Sequence, residues 1–143
     1  MTTLTLQIAQ TLLASTLENA RTHKLKPCAV VVIDARGALA AAASEDGCSP
    51  LRWKVAMAKA SGAVGLGVGS RRIAAMAVER AHFVAALHSL ADGGVVPVPG
   101  GVLIRSADQQ VIGAIGVSGD TSDNDEIVAV TAIIAAGLVA DGG

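Results

Sequence analysis

The segment Ala29-Val30-Val31-Val32-Ile33 constrains the fold more than any other part of the chain. It is continuously apolar and mostly β-branched, which is typical of a strand that is buried on both faces. The polar turn Asp34-Ala35-Arg36-Gly37 follows directly, and residues 39–43 then have the length of a second strand. We therefore predict a hairpin inside a sheet that has other elements packed on both sides.

Helical patterns precede this hairpin and fill the middle of the chain. From Thr5 to about Thr22, apolar residues recur at three- and four-residue steps, which predicts an amphipathic helix. A second helix is predicted from Pro50 to about Val64, with Ser49 as its cap. A short helix is expected after Ser70, and another covers residues 80–91.

Strand patterns return after the Asp92-Gly93-Gly94 stop. Residues 95–98, 101–105 and 111–117 resemble two or three antiparallel strands, and a last helix is predicted from about Asp123 to Ala140. Strands and helices that occur in separate blocks favour an α+β fold over a doubly wound one. The 143 residues, 52% of them hydrophobic, are expected to form a single domain over residues 1–143.

Composition narrows the possible partners. The chain has 11 basic and 12 acidic residues, so it has no excess positive charge for nucleic acid, and we expect no such partner. We see no signal-peptide pattern and no apolar stretch that is long enough to cross a bilayer, so we expect a cytoplasmic protein without a membrane span. Cys28 and Cys48 are expected to be reduced thiols. Only 16% of the residues are charged, which predicts a homo-oligomer.

Two glycine-containing motifs stand out in the sequence. They are Pro97-Val98-Pro99-Gly100-Gly101-Val102 and Val111-Ile112-Gly113-Ala114-Ile115-Gly116-Val117-Ser118-Gly119, and they are supported by residues 32–37, Ala58-Lys59-Ala60 and Asp125-Glu126. Together, and in their order along the chain, these motifs resemble those of the GlcG/HbpS-like family. The resemblance implies a profilin-like α+β fold with about five antiparallel strands, and homo-oligomeric assembly. Members of this family are described as heme-binding proteins, and the family is related to the C-terminal domain of PduO-type cobalamin adenosyltransferases.

The first functional hypothesis is therefore a heme- or tetrapyrrole-binding protein, with sensing or storage as its candidate role. An apolar cleft near Pro99-Gly100-Gly101 would hold the ring, and Arg52 or Lys59 would meet its acidic edge. His82, which precedes Phe83 on a predicted helix, is the candidate ligand of the heme iron, because neutral imidazole is a good iron ligand.

Two other hypotheses stay open at this stage. One is an enzyme of a catabolic pathway that acts on a small organic acid and uses Lys59, His82 or Asp125-Glu126 as polar groups. The other is a structural or sensory oligomer without chemistry of its own. Since the sequence contains no recognisable nucleophile-base pair or metal-ligand set, it leaves enzymatic activity undecided.

The same residues also have purely structural interpretations. Gly100-Gly101 fits a tight corner before a strand as well as it fits a ligand loop. Asp123 and Glu126 have the spacing of a capping box. The glycine-rich run from Gly65 to Arg72 is expected to be a helix break with solvated arginines rather than a phosphate cradle.

Overall fold

The protein is built on a five-stranded antiparallel sheet. In this computed structural model, which describes residues 2–143, the strands are β1 (Ala29–Asp34), β2 (Leu39–Ser44), β3 (Gly101–Arg105), β4 (Val111–Ser118) and β5 (Val139–Asp141). Their order across the sheet is β2-β1-β4-β3-β5. The helices are α1 (Leu6–Thr22), α2 (Arg52–Leu66), α3 (Ser70–Glu79), α4 (Ala81–Leu87) and α5 (Ser122–Ala135). The predicted α+β class and five-stranded antiparallel sheet are confirmed.

Helices cover both faces of the sheet. Along β1, Val30 and Val32 pack in the core that holds α1 and α5, whereas Val31 and Ile33 pack in the core that holds α2. All four side chains are fully buried. The alternation follows from the two-residue repeat of a strand, and it confirms the prediction of a central strand buried on both sides.

The segment 95–98 was wrongly predicted to be a strand. The two residues before it, Gly93 and Gly94, both have positive φ angles (82° and 86°), and Pro97 lacks the amide hydrogen that a ladder needs. Val95 is buried instead in a third apolar cluster with Ile73 and Val84, between α3 and α4. The fifth strand is β5, which pairs with the free side of β3.

Three helix boundaries also differ from their prediction. The last helix ends at Ala135 rather than Ala140, because Gly137 adopts φ 77° and turns the chain back towards the sheet. The second helix begins at Arg52 rather than Pro50, and the backbone oxygen of Ser49, not its side chain, accepts the hydrogen bond there. The fourth helix covers only residues 81–87 of the predicted 80–91.

The predicted capping box of α5 is wrong as well. The N-cap is Thr121, whose Oγ1 accepts a hydrogen bond from the backbone amide of Asn124. Asp123 lies inside the first turn and forms an ion pair with Arg71. The cap was misplaced because several polar residues before the helix are all acceptable caps.

The glycine-rich run forms the predicted helix break. Gly67 has φ 72° and ends α2 in the left-handed conformation. The N-terminus of α3 is in contact with residues of the same chain, since the Arg71 amide donates to the Gly142 carbonyl. The prediction that both arginines are solvated is wrong for Arg71, because Arg71 pairs with Asp123 and Glu126. Arg72 is exposed.

Helix α2 lies unusually close to the sheet at two glycines. A Cβ added to Gly116 would overlap with the carbonyl of Ala56, and one added to Gly101 would overlap with the carbonyl of Lys59. The glycines of the β3 and β4 motifs therefore have a packing role. None of the helices in residues 2–143 combines the length and apolar character that a bilayer crossing requires.

Candidate functional site

A buried ion pair joins the two sides of the sheet at the end of β4. The Nζ atom of Lys59, on α2, lies 3.1 Å from Oδ2 of Asp125, on α5, and donates to the Val117 carbonyl at 2.8 Å. The Lys59 side chain is 2% exposed and the Asp125 side chain is 1% exposed. The other Asp125 oxygen accepts from the Asp120 amide at 3.0 Å.

The ion pair shows which of the roles considered for Lys59 the structure contains. Lys59 does not extend past the core to water; it holds a carboxylate, but that carboxylate belongs to Asp125. Burial lowers the pKa of Lys59, while the charge of Asp125 acts in the opposite direction. A ligand carboxylate could reach Lys59 only if the pair separated, and separating a buried pair is costly.

The Pro-Gly-Gly loop packs directly over this pair. A Cβ on Gly100, where φ is 118°, would lie 2.8 Å from the Lys59 ammonium nitrogen. The amide of Gly101 donates to Oγ of Ser70, a fully buried side chain, at 2.7 Å. The loop is therefore a tight corner that closes over Lys59. Surface cavities of about 190–440 Å³ occur at five other places within residues 2–143, and their linings do not include residues 97–101.

Arg52 lies at the start of α2 beside one of these cavities. We call it the Arg52 cavity; its volume is about 210 Å³, and its lining includes Lys26, Pro27, Cys48, Ser49, Arg52 and Gly119. The Arg52 guanidinium donates to Oγ of Ser118 at 3.2 Å. Arg52 and Lys59 both lie at this end of the sheet, but only Arg52 is accessible.

The thiols at this end of the sheet are both free. Cys28 is buried, and its burial raises the pKa of the thiol to about 12. Cys48 is half-buried beside the Arg52 cavity, and burial raises its pKa also. Both side chains are therefore neutral thiols at neutral pH.

His82 and Phe83 lie in a different region, on the short helix α4. Both are exposed, and the Arg80 guanidinium lies 4.7 Å from the centroid of the Phe83 ring. Helix α4 packs mainly on α3, and its Val84 lies in the third apolar cluster, against which Leu66 of α2 also packs. The sequence grouped His82 with the Pro-Gly-Gly loop and Arg52, but the structure does not bring these residues together in one cleft.

An apolar cavity lies between α4 and the end of α2. We call it the α4 cavity; its volume is about 190 Å³, and its lining includes Gly62, Leu66, Leu87, Leu90, Ala91 and Val95. Leu90 is 79% exposed at its edge. No sequence motif pointed to this cavity, since its leucines and valine come from three separate segments.

Glu126 contributes to neither cavity. Its carboxylate pairs with Arg71 at 3.1 Å, so α5 is tied to α3 at the surface. The two neighbours Asp125 and Glu126 thus face different partners, one buried and one on the surface. Residues 2–143 contain no cluster of three or more histidine, cysteine or acidic side chains suited to a metal ion.

The architecture is that of known α+β proteins. The chain superposes on the crystal structure of a PduOC:heme complex with a TM-score of 0.84, at 24% identity over 96% of this chain and 97% of that chain. The TM-score is 0.80 for HbpS, at 25% identity over 95% and 91%, and 0.82 for Klebsiella pneumoniae ORFY, at 24% identity over 94% and 90%. These similarities show that the protein has the same fold as a class of small α+β domains.

The family follows from the sequence match. A family model described as haem degrading protein HbpS-like matches residues 4–134, and the chain belongs to this family. The resemblance inferred from the Pro-Gly-Gly and β4 motifs is thereby confirmed. No curated protein matches the chain.

Proposed function

We propose that this protein binds heme or a related tetrapyrrole. Membership of the HbpS-like family over residues 4–134 is the observation that carries the proposal. The likeness to a PduOC:heme complex supports it, since the two chains share the fold over almost their full lengths. Heme supplies iron-centred chemistry when it is bound, and the residues of this chain would supply a ligand and an apolar surface.

His82 is the residue proposed to hold the iron. His82 is exposed on α4, and its imidazole has no side-chain hydrogen bond within residues 2–143. By contrast, Nδ1 of His23 lies 2.8 Å from the carbonyl of Asn19. The exposed Phe83 and the α4 cavity offer apolar surface on the same part of the molecule.

Hemin titration tests this proposal. The wild type should give a saturable Soret shift, and His82→Ala should move the band or weaken the affinity with an unchanged circular dichroism spectrum. His23→Ala is the control, because His23 lies at the end of α1 and its Nδ1 atom is 2.8 Å from the Asn19 carbonyl. An identical titration in the wild type and His82→Ala would remove His82 as the ligand. No saturable shift in the wild type would remove heme.

We also propose that the protein is a homo-oligomer. The α4 cavity is smaller than the 300–1,000 Å³ of a typical ligand pocket, so a tetrapyrrole there would lie over it and need further cover. Leu90, which lines the cavity, is 79% exposed, and a second copy packed over the cavity would bury it. Sedimentation at micromolar concentration should show an assembly larger than 14.2 kDa, and a clean monomer would contradict the proposal.

A further inference from the structure

The Arg52 cavity is lined by side chains that donate hydrogen bonds. Its lining residues include three with donor side chains, Lys26, Ser49 and Arg52, and a weak donor, Cys48, but no carboxylate. Within residues 2–143, neither Lys26 nor Arg52 forms an ion pair. The cavity therefore carries two positive charges that no protein carboxylate neutralises by direct contact.

The nearby carboxylates are held by other partners. Glu45 pairs with Arg21 at 2.7 Å and accepts from the Cys28 amide. Asp120 accepts from the Lys26 and Thr121 amides, and these bonds help to lower its pKa to about 2. Asp46 is exposed and lines a neighbouring cavity. None of these carboxylates forms an ion pair with Arg52, although the charge of Lys26 also acts on Asp120.

Arg52 is oriented before any ligand arrives. One of its terminal nitrogens donates to Oγ of Ser118, which is fully buried at the end of β4. A guanidinium carries five donor hydrogens in a planar fork, so the rest of the fork stays free. That fork matches the two oxygens of a carboxylate, and holding it in advance reduces the entropy lost on binding.

We propose that the Arg52 cavity binds the carboxylate group of a small organic acid. Arg52 would hold the two oxygens, Lys26 would add its charge, and Pro27 and Cys48 would contact the carbon skeleton. The volume of about 210 Å³ lies below that of a drug-sized pocket, so the occupant has only a few carbon atoms or is the acidic arm of a larger molecule.

This site is separate from the surface proposed for heme. Arg52 begins α2, whereas the α4 cavity starts at Ser61, nine residues further along the same helix. At 1.5 Å per residue the two positions are about 14 Å apart along the helix axis. The inference does not rest on heme binding, so each can fail without the other.

Calorimetric titration with succinate provides the test. The wild type should bind saturably, and Arg52→Gln should weaken the affinity at least tenfold while circular dichroism and thermal unfolding stay those of a folded protein. Lys54→Gln is the control, because it removes an exposed positive charge two residues away that does not line the cavity, and it should stay within twofold of the wild type. Absence of saturable binding, or equal affinity in Arg52→Gln, would overturn the proposal.

Alkylation gives an independent measure of the same site. Cys48 lines the cavity and Cys28 is buried, so iodoacetamide should modify Cys48 first in the folded protein. Saturating succinate should slow this reaction in the wild type and not in Arg52→Gln. Equal protection in both proteins would place the acid elsewhere.

Two further titrations identify the source of the carboxylate. If succinate weakens hemin binding in the wild type but not in Arg52→Gln, the cavity takes a propionate of the tetrapyrrole. An unchanged hemin titration, or no hemin binding at all, assigns the cavity to a free organic acid. Inorganic phosphate that binds as tightly as succinate, with the same dependence on Arg52, would overturn the assignment to carboxylates.

Discussion

Removing Lys59 should destabilise the protein strongly. In Lys59→Met, the Asp125 carboxylate stays 1% exposed and keeps only the hydrogen bond from the Asp120 amide. Leaving one partner of a buried pair uncompensated costs about 3–5 kcal/mol. In Asp125→Asn the lysine would lose its opposite charge and would keep only neutral acceptors, the Val117 carbonyl and the introduced amide oxygen.

The expected size of the effect follows from the length of the chain. For 143 residues, an unfolding entropy of about 2.1 cal/mol/K per residue gives about 0.3 kcal/mol per degree. Lys59→Met should therefore lower the melting temperature by about 10–17 °C. Lys54→Met, exposed on the same helix, should change the free energy of unfolding by no more than about 0.5 kcal/mol.

A double-mutant cycle separates the pair from the packing around it. Lys59→Met, Asp125→Asn and their combination should be unfolded in urea at one protein concentration, since oligomers unfold in a concentration-dependent manner. The double variant should be more stable than the sum of the single losses, with a coupling energy of about 2 kcal/mol. If Lys59→Met stays within about 1 kcal/mol of the wild type without coupling, the reasoning about an uncompensated buried charge is refuted.

Two further predictions concern single positions. Gly116→Ala should lower the free energy of unfolding by about 1–3 kcal/mol, because the added Cβ overlaps with the Ala56 carbonyl. Gly65→Ala, which faces open space inside α2, should raise it by about 0.5–1 kcal/mol. Urea unfolding measures both effects, and equal effects would contradict the close approach of α2 to β4. Asp120, whose pKa falls from 3.8 to about 2 on folding, should contribute stability above pH 3.8 that is lost as the pH falls towards 2. Unfolding between pH 2 and 5 should show a flatter profile for Asp120→Asn, and parallel profiles would argue against this role.

The strands β1, β3 and β4 are largely buried and were predicted to within one residue, and the more exposed β2 was predicted equally well because it follows the turn at residues 34–37. The continuously apolar residues 29–33 indicate a central strand, and in the structure this strand is longer than predicted by only one residue. Residues 95–98 looked equally apolar, yet the glycines before them and Pro97 prevent pairing, and Val95 packs against helices instead. The short strand β5 was hidden because residues 139–141 continue the apolar pattern of the preceding helix, although Gly137 signals the end of that helix.

The parts of the site were easier to find than their arrangement. Lys59 and Asp125 were both singled out from the sequence, but nothing in the spacing of two residues 66 positions apart indicates a contact. Arg52 was also named, while its contact with Ser118 depends on where β4 ends. His82 was grouped with the Pro-Gly-Gly loop because they are neighbours along the chain, whereas α4 turns away and packs on α3.

The link between Lys59 and Asp125 also bears on the order of folding. Its two helices lie on opposite faces of the sheet, so the pair forms only after β4 has taken its place between them. Contacts that form after the rate-limiting step influence how fast a protein unfolds and hardly affect how fast it folds. We therefore predict that the ion pair forms late, so that it prolongs the lifetime of the native state without speeding its formation.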